Sequence, residues 1–399
     1  VKYISLFLFG FALIFSSLKS DAFQLSPDAE ISLLTCSPSD EIYAIYGHSA
    51  IRVNDPSHGF DVVFNYGVFS FETPHFIYRF AKGHTDYMLA PERFSDFYES
   101  YKRDGRSIKA QVLNLQPDAK QRMLDFLMNN AKPENRKYRY NFFYDNCATR
   151  VRDVVENEAD GKVIFPTNTG ENKSFRKLVA HYQKVLPWTN FGILLVLGDP
   201  ADTIASEYQE MFLPDYLEKH FAAAQIKTGD SSRPLVKETR TIYDAGSQPK
   251  RGFDPLSPFM VCFVLLLLIV GFSIYQFRIQ KMNYALDYVL LFITGLAGLL
   301  LLWLVTFSEH PAMSPNYNLW WAIPTNILFM VAWAVKKWRP SLKWYWKAMA
   351  VWLILFLLFN FMIPQAFPIG AYLIVLIMLT RALLHVIWFM RLRRQIIER

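Results

Sequence analysis

Five apolar stretches occupy the second part of the chain, at roughly 256–277, 286–306, 317–335, 346–363 and 369–389. Each is long enough for a helix to cross a bilayer, and inside hydrocarbon only a helix or a closed barrel satisfies its own backbone hydrogen bonds. The stretches therefore predict an all-α bundle of five spans over 256–399, and only the residues before them are free to fold as a globular domain. Charge divides at the same place: residues 256–399 hold 12 Lys+Arg against 3 Asp+Glu, so the net +7 of the chain belongs to the membrane part. A basic balance of this origin needs no nucleic acid to explain it.

The connections set the direction of threading. Those after the first, third and fifth stretches carry Arg278 and Lys281; Lys336, Lys337, Arg339, Lys343 and Lys347; and Arg391, Arg393, Arg394 and Arg399. Residues 307–316 and 363–367, after the second and fourth, carry no Lys or Arg. The positive-inside rule then places the C-terminus in the cytoplasm and the preceding domain outside. Arg381 and His385 lie within the last stretch, where they either pair inside the bundle, snorkel to its cytoplasmic face or contact substrate.

Export has a second, independent signal. Lys2, the apolar run Tyr3–Phe15 and Ser20-Asp21-Ala22 have the pattern of a secretory signal over 1–22, with an uncleaved anchor as the other reading. Residues 23–225 then form the exported domain, and 226–255, rich in Lys, Gly, Ser and Pro, read as a linker.

Within that domain strands precede helices, which predicts an α+β fold. Residues 31–35, 44–53, 61–71 and 106–113 read as strands, with Asn54–Gly59 a turn between the second and third. Residues 91–102, 117–130, 147–159 and 205–224 read as helices. Phe191–Gly198 is too short to span a membrane and reads as a buried strand or helical turn, or as an apolar wall dipping into the membrane beside a site.

One thiol stands where a helix should begin. Asp145 and Asn146 are good N-cap residues, Val151, Val154 and Val155 follow at helical spacing, and Cys147 falls in the first turn. Unpaired N–H groups and the positive end of the helix dipole there favour a thiolate. A reactive thiol needs a base, and Ile45-Tyr-Gly-His-Ser-Ala-Ile-Arg-Val53 offers His48 on a strand-like run. If the strands flanking 54–59 pair as a hairpin, Asn65 falls nearly opposite His48 and becomes the third member that would orient its ring, with Asp61, near the turn, as runner-up. The Cys147 N–H would receive an oxyanion, with Tyr46 or Asn146 as side-chain donors and Arg150 in support. The other reading of Cys147 is a disulfide with Cys36 in an oxidising compartment. The remaining cysteine, Cys262, lies within a span. No His-Glu-x-x-His, Cys-x-x-Cys or glycine-rich phosphate loop occurs, so neither a metal nor a nucleotide cofactor is expected.

Three blocks in one order, His48 in Tyr-Gly-His-Ser-Ala-Ile-Arg-Val, Asp61-Val-Val-Phe-Asn-Tyr-Gly67 and Tyr144-Asp-Asn-Cys-Ala-Thr-Arg150, resemble the signature blocks of the Lnb-type lipoprotein N-acyltransferases. Phe212-Leu-Pro-Asp-Tyr-Leu217 resembles a further block, and the histidine-before-cysteine order is similar to circularly permuted papain-like folds. The resemblance implies a membrane-bound acyltransferase. An acyl chain from a membrane lipid would be held as a thioester on Cys147 and passed to the α-amine of the N-terminal cysteine of a bacterial lipoprotein. The enzyme would sit in the inner membrane with its catalytic domain on the periplasmic face. Phe69, Phe71, Phe76, Ile77 and Phe80 would line an acyl groove or fill the core. A tethered cysteine peptidase or amidase acting on cell-wall peptides, and a non-catalytic exported sensor or scaffold, are the competing readings.

Overall fold

The computed structural model describes residues 23–70, 72–167, 172–246 and 253–397, with side chains to 391. The expected export signal, Phe71 and the last basic side chains lie outside the described residues.

The exported domain contains β1 (Glu30–Cys36), β2 (His48–Asp55), β3 (Phe60–Val68), α1 (Phe76–Lys82), β4 (Asp86–Arg93), α2 (Phe94–Arg103), β5 (Ile108–Leu113), α3 (Pro117–Asn130), β6 (Lys137–Arg139), α4 (Cys147–Glu158) and β7 (Lys162–Ile164). It continues with α5 (Phe175–Tyr182), α6 (Pro187–Val196), α7 (Glu207–Glu210), α8 (Pro214–Ala223), β8 (Gln225–Thr228), β9 (Ser231–Pro234) and β10 (Val236–Tyr243). Seven strands make one antiparallel sheet in the order β10-β5-β1-β2-β3-β4-β6, and β7-β8-β9 make a small second one. Alternation along the strands gives the large sheet two apolar faces. Ile31, Leu33, Ile51, Val53 and Phe64 pack under α3, α4 and α8 through Met123, Leu127, Val151, Val155, Leu217 and Phe221. Leu34, Cys36, Ala50 and Val63 pack on the other face against Phe97 of α2.

The α+β expectation agrees with these elements, and several boundaries are corrected. Residues 44–47 form a turn ahead of β2 rather than its first residues. Pro91–Arg93 belong to β4, an unexpected strand, because Pro91 pairs across Phe64 without needing an N–H on that side. The helix expected over 205–224 breaks into α7 and α8 at Pro214, which occupies a first-turn position of α8 and cannot continue α7. Phe191–Val196 are helical. The reading of 226–255 as a linker fails for its first part: β8 and β9 form a hairpin, and β10 pairs with β5 as the edge of the main sheet, despite its polar, exposed side chains. Edge strands need only one covered face, so low apolar content does not exclude them.

The membrane part is helical: α9 (Pro258–Arg278), α10 (Ala285–Phe307), α11 (Thr325–Ala334), α12 (Lys343–Phe359) and α13 (Ile369–Ile397). Four helices, Pro258–Arg278, Ala285–Phe307, Lys343–Met362 and Ile369–Arg391, are long and apolar enough to cross a membrane. The stretch 317–335 is not one long helix. It is a 3-10 turn, Tyr317–Trp320, followed by the 10-residue α11, about 15 Å long. Trp321 and Trp346 are buried in the bundle core, whereas Trp320, Trp338 and Trp344 are exposed.

The loops without Lys or Arg meet the exported domain. Glu309 N donates to Lys82 O at 3.0 Å and its carboxylate pairs with His84 at 2.7 Å. Gly198 N and Asp199 N donate to Ala312 O and Pro315 O at 2.7 and 2.9 Å. This approach is open only to glycine, since a Cβ on Gly198 would lie 2.1 Å from Pro315 O. Asn316 and Asn318 donate to the last carbonyls of α6, and the Ala366 N–H reaches Asp202. Leu195 and Val196 of α6 pack against the bundle core, while Ile193 and Leu194 pack on Phe175 and its neighbours. Helix α6 therefore joins the two parts of the molecule.

Candidate active site

Helix α4 begins at Cys147 because Asn146 caps it. Asn146 Oδ1 accepts from Ala148 N and Thr149 N at 2.8 and 3.0 Å, and Thr149 Oγ1 accepts from Asn146 N at 2.8 Å, a complete capping box. Asn146 Nδ2 also donates to Phe142 O and Phe212 O, both at 2.8 Å, which ties the cap to the Phe212–Leu217 block. These bonds use the Asn146 side chain fully, so it is not an oxyanion donor. The Cys147 N–H, turned toward its own sulfur, is the first-turn donor that the cap does not claim.

The thiol enters the sheet where two strands part. Pairing of β2 with β3 runs from Asp55↔Phe60 only to Ile51↔Phe64, although the strands themselves reach His48 and Val68. Gly67, at φ +89°, turns the end of β3 aside, and a Cβ there would meet Cys147 Cβ at 3.5 Å. The Ser49 N–H, freed at this open end, donates to the Cys147 sulfur. The sulfur therefore lies against the residue that follows His48. Burial raises the thiol pKa; the N–H groups of Ser49, Ala148 and Cys147 and the Arg106 charge only oppose it. Desolvation thus acts against the helix terminus, and it moves the thiol pKa up, in the opposite direction from the first-turn effect.

His48 and Asn65 are brought together. The Ile51↔Phe64 register sets Asn65 one diagonal step from His48, and His48 Nε2 meets Asn65 Oδ1 at 3.1 Å. Asn65 Nδ2 donates to Glu92 Oε1 at 2.5 Å. This second bond fixes which end of the amide faces the ring, so Nε2 carries the proton and Nδ1 carries the lone pair. Burial, against the Asn65 bond and with help from Arg106, holds the His48 pKa down to about 4, so the imidazole is neutral at physiological pH.

The other candidates have different work. Asp61 accepts both Arg52 Nε and Nη2 at 2.7 Å, and the guanidinium lies 3.4 Å from the Phe94 ring centroid, so Asp61 is a structural partner at the turn end and not the third member. Arg150 pairs with Asp145 at 2.5 and 2.7 Å and stacks 4.2 Å over Tyr138, which holds the loop before α4. The Tyr46 hydroxyl accepts from Gln183 Nε2 and its ring packs on Phe142, which anchors the segment before His48. Cys36 and Cys147 are both free. Cys36 lies opposite His48 in the β1–β2 pairing, buried and bonded to Tyr101, and desolvation pushes its pKa up to about 12. Sequence reasoning missed Glu92 and Arg106, and no local pattern marks either. Arg106 comes from the turn before β5, donates to Ser37 O at 2.8 Å and stacks 4.5 Å over Tyr101.

Aromatic rings lead away from the thiol. Burial raises the pKa values of Tyr87, Tyr138 and Tyr140, three rings that lie near Cys147. Tyr87 stacks on Tyr140 at 4.1 Å and meets Phe69 at 5.0 Å, and Phe69 stacks on Phe76 of α1 at 5.4 Å. Beyond Phe76 a groove of about 900 Å³ opens between α1 and Trp303 in the last turns of α10, lined by Thr73, Phe76, Ile77, Tyr78 and Ala81. Ile77 is 83% exposed there, beside the last turns of α10.

Comparison with known proteins agrees with this division. No curated protein and no solved structure matches the chain. The family model for the Lnb N-terminal periplasmic domain matches residues 21–178, and that for the Lnb transmembrane domain matches residues 249–393. Cys147, His48, Asn65 and Glu92 all fall within the first match. The chain therefore belongs to the Lnb-type family, as a multi-pass membrane protein with an N-terminal periplasmic domain.

Proposed function

We propose that the chain is a thiol acyltransferase that moves an acyl chain from a membrane lipid, through a Cys147 thioester, to the α-amine of the N-terminal cysteine of bacterial lipoproteins. The observation that carries this reading is the His48–Asn65–Glu92 chain, which leaves Nδ1 as the basic nitrogen of His48, together with the contact of the Cys147 sulfur with the N–H of Ser49, the next residue along β2. The order of the parts, with the histidine strand before the cysteine helix, suits a circularly permuted papain-like core.

In this reaction Nδ1 takes the thiol proton as sulfur attacks the ester carbonyl. The oxyanion forms beside the Cys147 and Ser49 N–H groups, both already turned toward the sulfur. Collapse breaks the ester C–O bond, and His48 returns its proton to the departing alkoxide. The lipoprotein amine then attacks the thioester, His48 removes the amine proton, the C–S bond breaks, and the proton passes back to the thiolate. The aromatic rings and the groove at α1 suit an acyl chain better than the polar cleft that a cell-wall peptidase or amidase needs. Tethering the site to the outer face of the inner membrane keeps donor and acceptor at high effective concentration.

Mass spectrometry of lipoprotein N-terminal peptides tests this. Cells lacking the gene are expected to lose the amide-linked acyl chain and to regain it on complementation; an unchanged acyl pattern would sink the assignment.

The reading includes five crossings, with α11 and the turn before it as the third, and a cytoplasmic C-terminus. Contacts of the 307–316 loop and of Ala366 with the exported domain support it. Cysteine-accessibility labelling should find positions in 307–316 on the periplasmic side and positions in 336–347 in the cytoplasm. The reverse pattern would overturn the topology.

A further inference from the structure

Glu92 is a carboxylate with no evident structural reason to be where it is. It ends β4, with Val63↔Glu92 and Asn65↔Ala90 in register, so it stands diagonally from Asn65 on the α2 face of the sheet. Among the described residues no cation pairs with it, and its hydrogen-bond partner is Asn65 Nδ2 at 2.5 Å. Burial raises its pKa to about 7 against the Asn65 bond, with Asp96 of α2 adding to the rise. A half-buried carboxylate held by one amide is a poor stabilising device, since desolvation opposes it and no charge compensates.

An asparagine amide offers a donor at one end and an acceptor at the other, and either can meet an imidazole. With Oδ1 toward His48, Nε2 holds the proton and Nδ1 is a base. With Nδ2 toward His48, Nε2 must accept, the proton moves to Nδ1, and the ring presents N–H where a base is needed. An ionised carboxylate only accepts, so it selects the Nδ2 end and leaves Oδ1 for His48. We propose that Glu92 is the positioning residue of this site, setting the orientation of the Asn65 amide and through it the reactive tautomer of His48. The inference rests on the reading of Cys147 and His48 as the reacting pair.

The test uses the fact that aspartate, unlike asparagine, has acceptors at both ends and needs no orienting partner. Purified full-length protein in detergent is treated with iodoacetamide about two pH units above the Glu92 pKa of about 7, where the carboxylate is ionised, and alkylation of Cys147 is followed by peptide mass spectrometry, alongside lipoprotein acylation and thermal melting. Glu92→Leu is expected to slow Cys147 alkylation roughly 10- to 100-fold, by analogy with the loss of the partner that orients a metal-ligating histidine. Adding Asn65→Asp to Glu92→Leu should bring the rate back to within a few-fold of wild type. Should Glu92→Leu fail to fold, Glu92→Gln with and without Asn65→Asp gives the same comparison with a smaller first loss. A packing role predicts that the second change does not restore the rate, because a carboxylate at position 65 refills none of the space or contacts that Glu92 supplied. Alkylation that is insensitive to Glu92, or that Asn65→Asp does not restore, overturns the proposal. Alkylation restored in a protein whose wild type transfers no acyl chain would uphold Glu92 and sink the acyltransferase reading.

Discussion

Cys147→Ala and His48→Ala are each expected to abolish N-acylation of lipoproteins, by at least about 10³-fold, because members of a nucleophile–base pair act as a unit. Expression, membrane insertion and melting temperature should stay close to wild type. Both side chains are half-buried at the open end of the β2–β3 hairpin, and neither belongs to the set of fully buried residues that forms the domain core. Asn65→Ala should be intermediate, since the imidazole stays but loses the bond at 3.1 Å that orients it. Cys36→Ala should keep acyl transfer, because that thiol is buried, bonded to Tyr101 and held protonated. Mass spectrometry of lipoprotein peptides, paired with thermal melts of the same variants, reads both halves of this prediction. Full transfer by His48→Ala would remove the base from the mechanism. Equal instability of Cys36→Ala and Cys147→Ala would point back to a structural pairing of the two cysteines.

The second large effect lies in the membrane. Asp287 at the start of α10 accepts Arg381 Nε and Nη2 at 2.7 and 2.9 Å, and His385 Nε2 meets the same carboxylate at 3.0 Å. Arg381 Nη1 reaches Ser273 Oγ and Gln276 Oε1 of α9 at 3.1 and 2.8 Å, so one guanidinium joins α9, α10 and α13. Asp287, Arg381 and His385 are all fully buried. Of the three readings of Arg381 and His385, pairing inside the bundle is the one the structure holds. Asp287→Ala would leave the guanidinium without its counter-charge and is expected to cost about 3–5 kcal/mol. Asp287→Leu with Arg381→Met removes both charges and should recover most of that loss. Thermal melting in detergent and protein abundance in the membrane measure it. An Asp287→Ala protein as stable as wild type would show that the cluster does not hold the helices together.

What the sequence alone determined is what local physics controls. Apolar length and loop charge mark the membrane part, because a bilayer acts on each segment separately. The 54–59 turn, the hairpin that sets Asn65 near His48, and the cap that starts α4 at Cys147 depend on residues a few positions apart, so the order of residues is enough to read them. Tertiary structure decided everything that depends on distant partners. Glu92 is 27 residues from the amide it orients, and Asp287 is 94 residues from Arg381. Strand β10 looks like a linker until β5 offers it an edge, and the Cys147 thiol looks ionised until burial, which no spacing reveals, moves its pKa up against the helix terminus. Asp61 lies on the strand that carries Asn65 and Asn146 adjoins Cys147, yet Arg52 and the α4 cap claim them first, because a polar side chain in a half-buried place takes the nearest partner that satisfies it.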